Sequence, residues 1–233
     1  MHCRYPVFTL LLAIVLPIIV AAQGEKRNNF DRPVITLRTN PLSPLETDAN
    51  VMLGVGVQWH PRWAACFEPA YIFARLYDAD NGSGGNATAG ATGFKLRTDV
   101  RYYFSDFQFG KRAAFFISPE FHYKNATIRK WDNFGINCVN GQCDFYQRAR
   151  YKEVKNETGG LIKLGVNFRG FGPRMGFEMF AGLGAKYKDL RETGLPTGGS
   201  FVNPPTQSEF ALIPREGWLF MLPGGVKLCY RIR

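Results

Sequence analysis

Ser118, Glu120 and His122 stand at alternate positions in Ser118-Pro119-Glu120-Phe121-His122. On a β-strand, alternate side chains share one face. A hydroxyl, a carboxylate and an imidazole on one face are the parts of a nucleophilic triad. Phe115, Ile117, Phe121 and Tyr123 occupy the opposite parity of the same segment. An enzyme acting on membrane lipid needs its nucleophile at the lipid-facing surface, with an oxyanion pocket beside it. The triad parity is the polar one and points away from such a surface, so the expectation is no catalysis. A membrane-embedded lipid-modifying enzyme stands as an alternative.

Cysteine chemistry is equally sparse. Cys3 precedes an apolar N-terminal run, leaving Cys66, Cys138, Cys143 and Cys229 in the body of the chain. Cys138 and Cys143 bracket Val-Asn-Gly-Gln in a polar stretch. In an exported protein this pair is expected to close a disulfide. No second Cys or His pair accompanies it, so no metal is expected. Cys66 and Cys229 fall in strand-like runs and read as packing residues, with a pairing open if their strands approach. The Gly-x-Gly sequences precede no helix and read as strand glycines, so no nucleotide or other cofactor is expected.

The remaining ionisable residues sit on one parity of a repeated alternation. In Gly93 to Ser105, Phe94, Leu96, Thr98, Val100, Tyr102 and Phe104 alternate with Lys95, Arg97, Asp99 and Arg101. The same arrangement places Glu68, Glu120, His122, Lys124, Lys163, Glu178, Lys186, Lys227 and Arg231 opposite apolar or aromatic residues. Eight strands are expected, near residues 33–40, 50–59, 62–77, 93–105, 112–130, 145–169, 175–191 and 216–233. No stretch shows a helical period. The connections 60–62, 105–111 and 170–174 are short, whereas 78–92, 131–144 and 192–215 are long and polar. One end of the sheet is therefore compact and the other elaborated.

Residues 1–22 carry Arg4, an apolar run from Phe8 to Val20 and a small-residue end at Ala21-Ala22. They read as a cleavable export signal, leaving 23–233 as one barrel domain. The formal net charge of +10 is scattered through alternating strands. A nucleic-acid binder would gather it on one helix or tail, so no nucleic acid is expected.

Bulky residues on one face, with Gly, Ala and charge on the other, invert the pattern of a soluble barrel that fills its inside with bulk. Aromatics cluster toward both strand ends. Trp59, Trp63, Tyr102, Phe104, Phe107, Phe168, Phe171 and Tyr230 lie at the short-turn end; Tyr71, Phe73, Phe94, Tyr123, Tyr187 and Trp218 lie toward the loops. Two belts around an apolar band suit the two interfaces of a membrane. A soluble sandwich or ligand-binding barrel is the architectural rival.

Val-Ile-Thr-Leu-Arg-Thr-Asn-Pro-Leu at 34–42, Gly-Val-Gly-Val-Gln-Trp at 54–59, Val-Arg-Tyr-Tyr-Phe at 100–104 and Gly-Val-Lys-Leu-Cys-Tyr-Arg-Ile-Arg at 225–233 resemble small outer-membrane β-barrel proteins of Bacteroidota-type bacteria. These belong to the broad class that includes OmpA-like and OmpX-like barrels. The resemblance covers most of the chain after residue 22 and specifies architecture, not activity. It implies an all-β, eight-stranded antiparallel up-and-down transmembrane barrel in a bacterial outer membrane. Many such proteins end in an aromatic residue; here the last residue is Arg233.

In that architecture Glu68, Lys95, Arg97, Asp99, Arg101, Glu120, His122, Lys124, Lys163, Glu178, Lys227 and Arg231 form an interior charge network. The expected role is an ionic plug, since buried charges are costly unless paired. A narrow ion path through the same residues stands beside it. Arg129, Lys130, Arg148, Arg150 and Lys152 form a basic rim suited to lipid phosphates. The expected partners are outer-membrane lipid and either lipopolysaccharide or an extracellular ligand, met by a monomer.

Overall fold

The computed structural model describes residues 33–46, 48–75, 90–104, 113–139, 142–169, 174–201 and 216–232. The proposed signal at 1–22, the glycine-rich stretch at 76–89, Phe107, Phe171 and residues 202–215 lie outside the described residues. Eleven strand segments make one sheet: β1 (Val34–Thr39), β2 (Asp48–Met52), β3 (Gly54–His60), β4 (Trp63–Arg75), β5 (Ala91–Tyr103), β6 (Ala113–Ile136), β7 (Phe145–Arg169), β8 (Met175–Thr193), β9 (Gly199–Phe201), β10 (Glu216–Met221) and β11 (Gly224–Arg231). A 3-10 turn at Ser43–Leu45 follows β1.

The sheet closes on itself. β1 pairs with β3, and β3 with β4; the ladder then runs through β5, β6, β7 and β8 to β11, which pairs back to β1. Every pairing in this ring of eight is antiparallel. Sequence constrains the register of each pairing, because each strand keeps one bulky parity and a slip of one residue would turn that parity to the wrong side. Two further segments continue ring strands across interruptions. β2 extends β3 along β4 past a break at Leu53, where the register also shifts between Ala49 and Asn50. β10 extends β11 along β8 past Leu222-Pro223, and a proline cannot donate to the ladder there.

The long loop-side extension is the main departure from expectation. β6 runs to Ile136 and pairs with β7 as far as Ile136 opposite Phe145, where a polar connection was expected. Asp132, Asn133 and Gly135 disguise the alternation that buries Phe134 and Ile136. β9 adds a third strand against Phe134–Ile136, and the Cys138–Cys143 disulfide closes the hairpin tip.

Around the ring, apolar residues face outward. Leu53 is 61% exposed, Phe115 64% and Phe220 69%, and Val55, Phe67, Phe94, Ile162, Leu183 and Leu228 are exposed as well. Aromatics pair at both ends of this band. Trp63 meets Tyr102 and Phe168 stacks on Phe177 at the short-turn end. Phe94 meets Tyr123, and Tyr187 meets Trp218, toward the loops.

The interior differs from the expectation of small residues and charge alone. Tyr103, Phe116 and Phe180 turn inward with Ala64 and Ala114 to form an apolar layer near the short turns. Glycines make room for close strand contact elsewhere. A Cβ at Gly93 would run into the Asn125 carbonyl oxygen and lie 2.7 Å from the Ala126 Cα. Because both obstacles are backbone, Gly93→Ala is expected to destabilise the barrel by about 1–3 kcal/mol, read as a lower urea unfolding midpoint. An unchanged midpoint would show that β5 and β6 can separate without cost.

Candidate functional site: an ion-pair network across the barrel interior

Alternation on β4, β5, β6, β7, β8 and β11 aims Glu68, Asp99, Arg101, Glu120, Lys163, Glu178 and Lys227 into the lumen, and all seven are buried. β1 adds Arg38, which was not among the residues expected inside. Its signal was present: Arg38 shares the parity of Thr36 beside the small Gly54 and Gly56 of β3.

These residues form a continuous chain across the lumen. Lys163 donates to Asp99 and to Glu120, the latter at 2.5 Å. Arg101 holds Asp99 with two nitrogens, at 2.8 and 3.1 Å. Arg101 and Arg38 converge on the same carboxylate oxygen of Glu178. Arg38 also lies 3.7 Å from Glu68, which accepts from Lys227 at 2.6 and 2.8 Å. Four cations, Arg38, Arg101, Lys163 and Lys227, thereby meet four acids, Glu68, Asp99, Glu120 and Glu178.

Several of the contacts bypass neighbouring strands. Arg38 reaches from β1 over β11 to β8, and Lys227 reaches from β11 over β1 and β3 to β4. Aromatic faces support the cations from below. Arg101 lies 4.6 Å from the Phe116 ring centroid, and Lys163 and Lys227 lie 5.3 and 4.9 Å from that of Phe180.

A second layer lies toward the loops. Glu157 faces Lys186 at 2.9 Å, Lys155 at 3.1 Å, Lys124 at 3.5 Å and His122 at 3.9 Å. Asp48 also pairs with Lys124 and stands 3.6 Å from Lys155. Arg97, opposite His122 on the β5–β6 ladder, lies 3.7 Å from Glu120 of the central layer. Asp48 was missed in sequence because it begins a strand segment read as a connection, and Lys155 because it continues a basic run read as lying beyond the band; Glu157, in the middle of β7, shares their inward face.

The segment after β1 closes over this layer. Ser43 Oγ lies within hydrogen-bond distance of the carbonyl oxygens of Asn40 and Asn50, at 2.9 and 2.8 Å, and Lys95 binds Glu46 at 2.6 Å. Toward the short turns the lumen narrows to a cavity of about 50 Å³ lined by Thr36, Arg38, Cys66, Tyr103, Asn167 and Cys229 among others. Cys66 and Cys229 are both free thiols there. Arg38 donates to each, at 2.9 and 3.7 Å.

Several residues singled out in sequence have a different setting. Ser118, Glu120 and His122 share the inward face, but Glu120 is held by Lys163 and His122 faces Glu157. Ser118 Oγ has no hydrogen-bond partner among the described residues. The triad parts therefore carry no nucleophile–base hydrogen bond there. Lys130 was placed on the basic rim, yet it turns inward and pairs with Glu153 at 2.8 Å. The period of two requires this, since Arg129 and Lys130 are consecutive and cannot share a face. Arg129, Arg148, Arg150 and Lys152 are exposed. Arg231 is half-buried opposite Thr36, near the short turns.

No protein-family model matches the chain, and no curated protein matches its sequence. The solved structures it is similar to are outer-membrane β-barrel proteins. A major outer-membrane protein of Thermus thermophilus is 10% identical, with 86% of this chain and 99% of that one covered and a TM-score of 0.44. CarO2 of Acinetobacter baumannii is 13% identical, covering 85% and 98%, with a TM-score of 0.37. The N-terminal β-barrel domain of Pseudomonas aeruginosa OprF is 11% identical, covering 86% and 96%, with a TM-score of 0.34.

Removing one member of a buried pair strands the other. Lys227→Met is expected to destabilise by about 3–5 kcal/mol, and adding Glu68→Gln should recover a large part of that loss. A double-mutant cycle on unfolding free energies reads the coupling; additive losses would mean that the contact is electrostatically idle.

Glu46 gives a pH-dependent counterpart outside the strands. Burial pushes its carboxyl up, but the Lys95 ammonium and its hydrogen bond pull it further down, to below its ordinary value. A depressed carboxyl contributes stability above its unfolded pKa and loses it as pH falls through the folded one. Protection of the amides in residues 40–52, taken relative to the intrinsic exchange rate at each pH, is therefore expected to fall on acidification from pH 7 to pH values below about 4. Glu46→Gln should show the lowered protection already at pH 7. Equal protection in both proteins at pH 7 would remove the tether.

Proposed function

We propose that the protein is an outer-membrane barrel with a structural and surface-interaction role, spanning the bilayer as an eight-stranded up-and-down barrel. The observation that carries this reading is the inversion of the usual protein: an exposed apolar band encircles a buried, charge-balanced network. Water would be a poor medium for that band, and hydrocarbon satisfies it. Aromatic pairs at its two edges fit the two interfaces.

In this reading the interior is a plug that holds the wall together. Each strongly buried cation of the central layer already has an acid, and an eight-stranded lumen has room only for side chains. The closed ring leaves no open edge at that level for a second copy, which favours a monomer. No catalysis is assigned, because Glu120 and His122 are engaged elsewhere than with Ser118. The loop end is the surface offered to lipid and to extracellular ligands, and nucleic acid has no place in an exported barrel.

Cell fractionation and gel mobility test the placement. The protein is expected in the outer-membrane fraction, migrating faster before boiling than after; recovery in the aqueous fraction with no mobility shift would refute it. Planar-bilayer recording tests the plug, with no discrete conductance expected from the native chain. Openings abolished by substituting Arg101 or Glu120 would turn the assignment to a narrow channel.

A further inference from the structure

Among the described residues, one cationic cluster that the interior networks do not absorb lies on the outer face of the β6–β7 extension. Arg129, Trp131 and Asn133 of β6 share the outward parity with Tyr146, Arg148, Arg150 and Lys152 of β7. All seven are exposed, and the four cations Arg129, Arg148, Arg150 and Lys152 stand outside the lumen. Arg129 stands directly opposite Lys152, Arg150 opposite Trp131 and Arg148 opposite Asn133. We propose that this face holds the phosphates of a phosphorylated glycolipid headgroup in the leaflet around the loop end of the barrel. The proposal rests on the membrane reading above and names the partner of that surface.

Cations inside and outside the barrel are paired differently. Those of the central layer meet carboxylates, whereas none of Arg129, Arg148, Arg150 and Lys152 has an ion pair among the described residues. Like charges directly opposite on neighbouring strands repel. An anion between them removes that cost and gains charge-assisted hydrogen bonds. Arg129, Arg150 and Lys152 line an open groove with Thr193 and Gly194, where such a group has access to all three. Two outward carboxylates nearby belong to other strands and are engaged: Asp189 with Arg191 at 2.9 Å, and Glu216 with the Tyr187 hydroxyl at 2.5 Å.

Height above the membrane selects the class of lipid. Tyr123 lies in the loop-side aromatic belt, opposite Thr158 of β7, which in turn lies opposite Tyr187. Arg129 and Lys152 each come six residues farther along their strands. At roughly 3.3 Å per residue that is about 20 Å along the strand, and about 15 Å along the membrane normal for a strand tilted by about 40°. A phospholipid headgroup layer is only about 5–8 Å thick. The basic face therefore stands above phospholipid phosphates, at a height reached by a headgroup built of phosphorylated sugars. Trp131 and Tyr146, 49% and 63% exposed, supply flat rings among the cations for such sugars. The face is also held in shape before any ligand arrives, by the β6–β7 ladder, by β9 and by the tip disulfide.

Binding of the folded full chain in detergent to lipopolysaccharide with phosphorylated inner sugars tests this. The comparisons are the same lipopolysaccharide after chemical dephosphorylation, phosphatidylglycerol, and inorganic phosphate. The phosphorylated glycolipid is expected to bind at least roughly tenfold more tightly than its dephosphorylated form. R148Q/R150Q/K152Q should lose that preference, whereas R62Q at the opposite end should keep it. Arg150→Gln alone, expected to weaken binding several-fold, covers failure of the triple variant to fold. Equal affinity for the dephosphorylated form, unchanged binding by both rim variants, equally tight phosphatidylglycerol binding, or full displacement by inorganic phosphate would each overturn the proposal. Fractionation and heat-dependent mobility read the membrane assignment separately, so a correctly inserted barrel that ignores the phosphates defeats only this inference.

Discussion

Closing a sheet around its charged face creates the constraint on which the rest of the structure depends. The charges of β4, β5, β6, β7, β8 and β11 are removed from bulk water together, and each then needs an opposite charge within the lumen. The two arginines meeting at Glu178 show how this is met. Arg38 and Arg101 come from β1 and β5, on different sides of the ring, and the acid they share lies on a strand that neighbours neither. The bidentate hold of Arg101 on Asp99 fixes the guanidinium plane and directs its remaining nitrogen to Glu178.

Around that centre the interior is layered by side-chain size. Tyr103, Phe116 and Phe180 fill the lumen near the short turns, and the rings of Phe116 and Phe180 face the cations above them. Toward the loops, Lys124, Lys155 and Lys186 gather around Glu157, and the segment carrying Ser43 and Glu46 folds over them. Burial on the inside and apolar exposure on the outside are two sides of one alternation. Shifting any strand by one residue would turn its charges outward and carry its bulk into the lumen.

Much of this was legible from local pattern. The inward charges Glu68, Asp99, Arg101, Glu120, Lys163, Glu178 and Lys227 were readable from parity, because a strand repeats every two residues whatever it packs against. The same rule puts Arg129, Arg148, Arg150 and Lys152 outside, and it sends Lys130 inside, off the rim where its charge alone had placed it. The β6 extension was obscured by Asp132, Asn133 and Gly135, residues that disfavour strands alone but are carried by β7 and β9 on either side. Tyr103, Phe116 and Phe180 were obscured because each adjoins a bulky residue of opposite parity, so the run looks uniformly bulky.

By itself, then, the order of residues determined which side chains share a face, which strand connections are short, and that Cys138 and Cys143 could close a small loop. Those are local properties, set by the strand period and by chain distance. Which acid meets which base was decided only by tertiary structure. Lys227 and Glu68 are 159 residues apart, and Arg38 and Glu178 are 140 apart. Their meeting depends on the ring closing between β1 and β11 at one register, a long-range choice that no local spacing encodes.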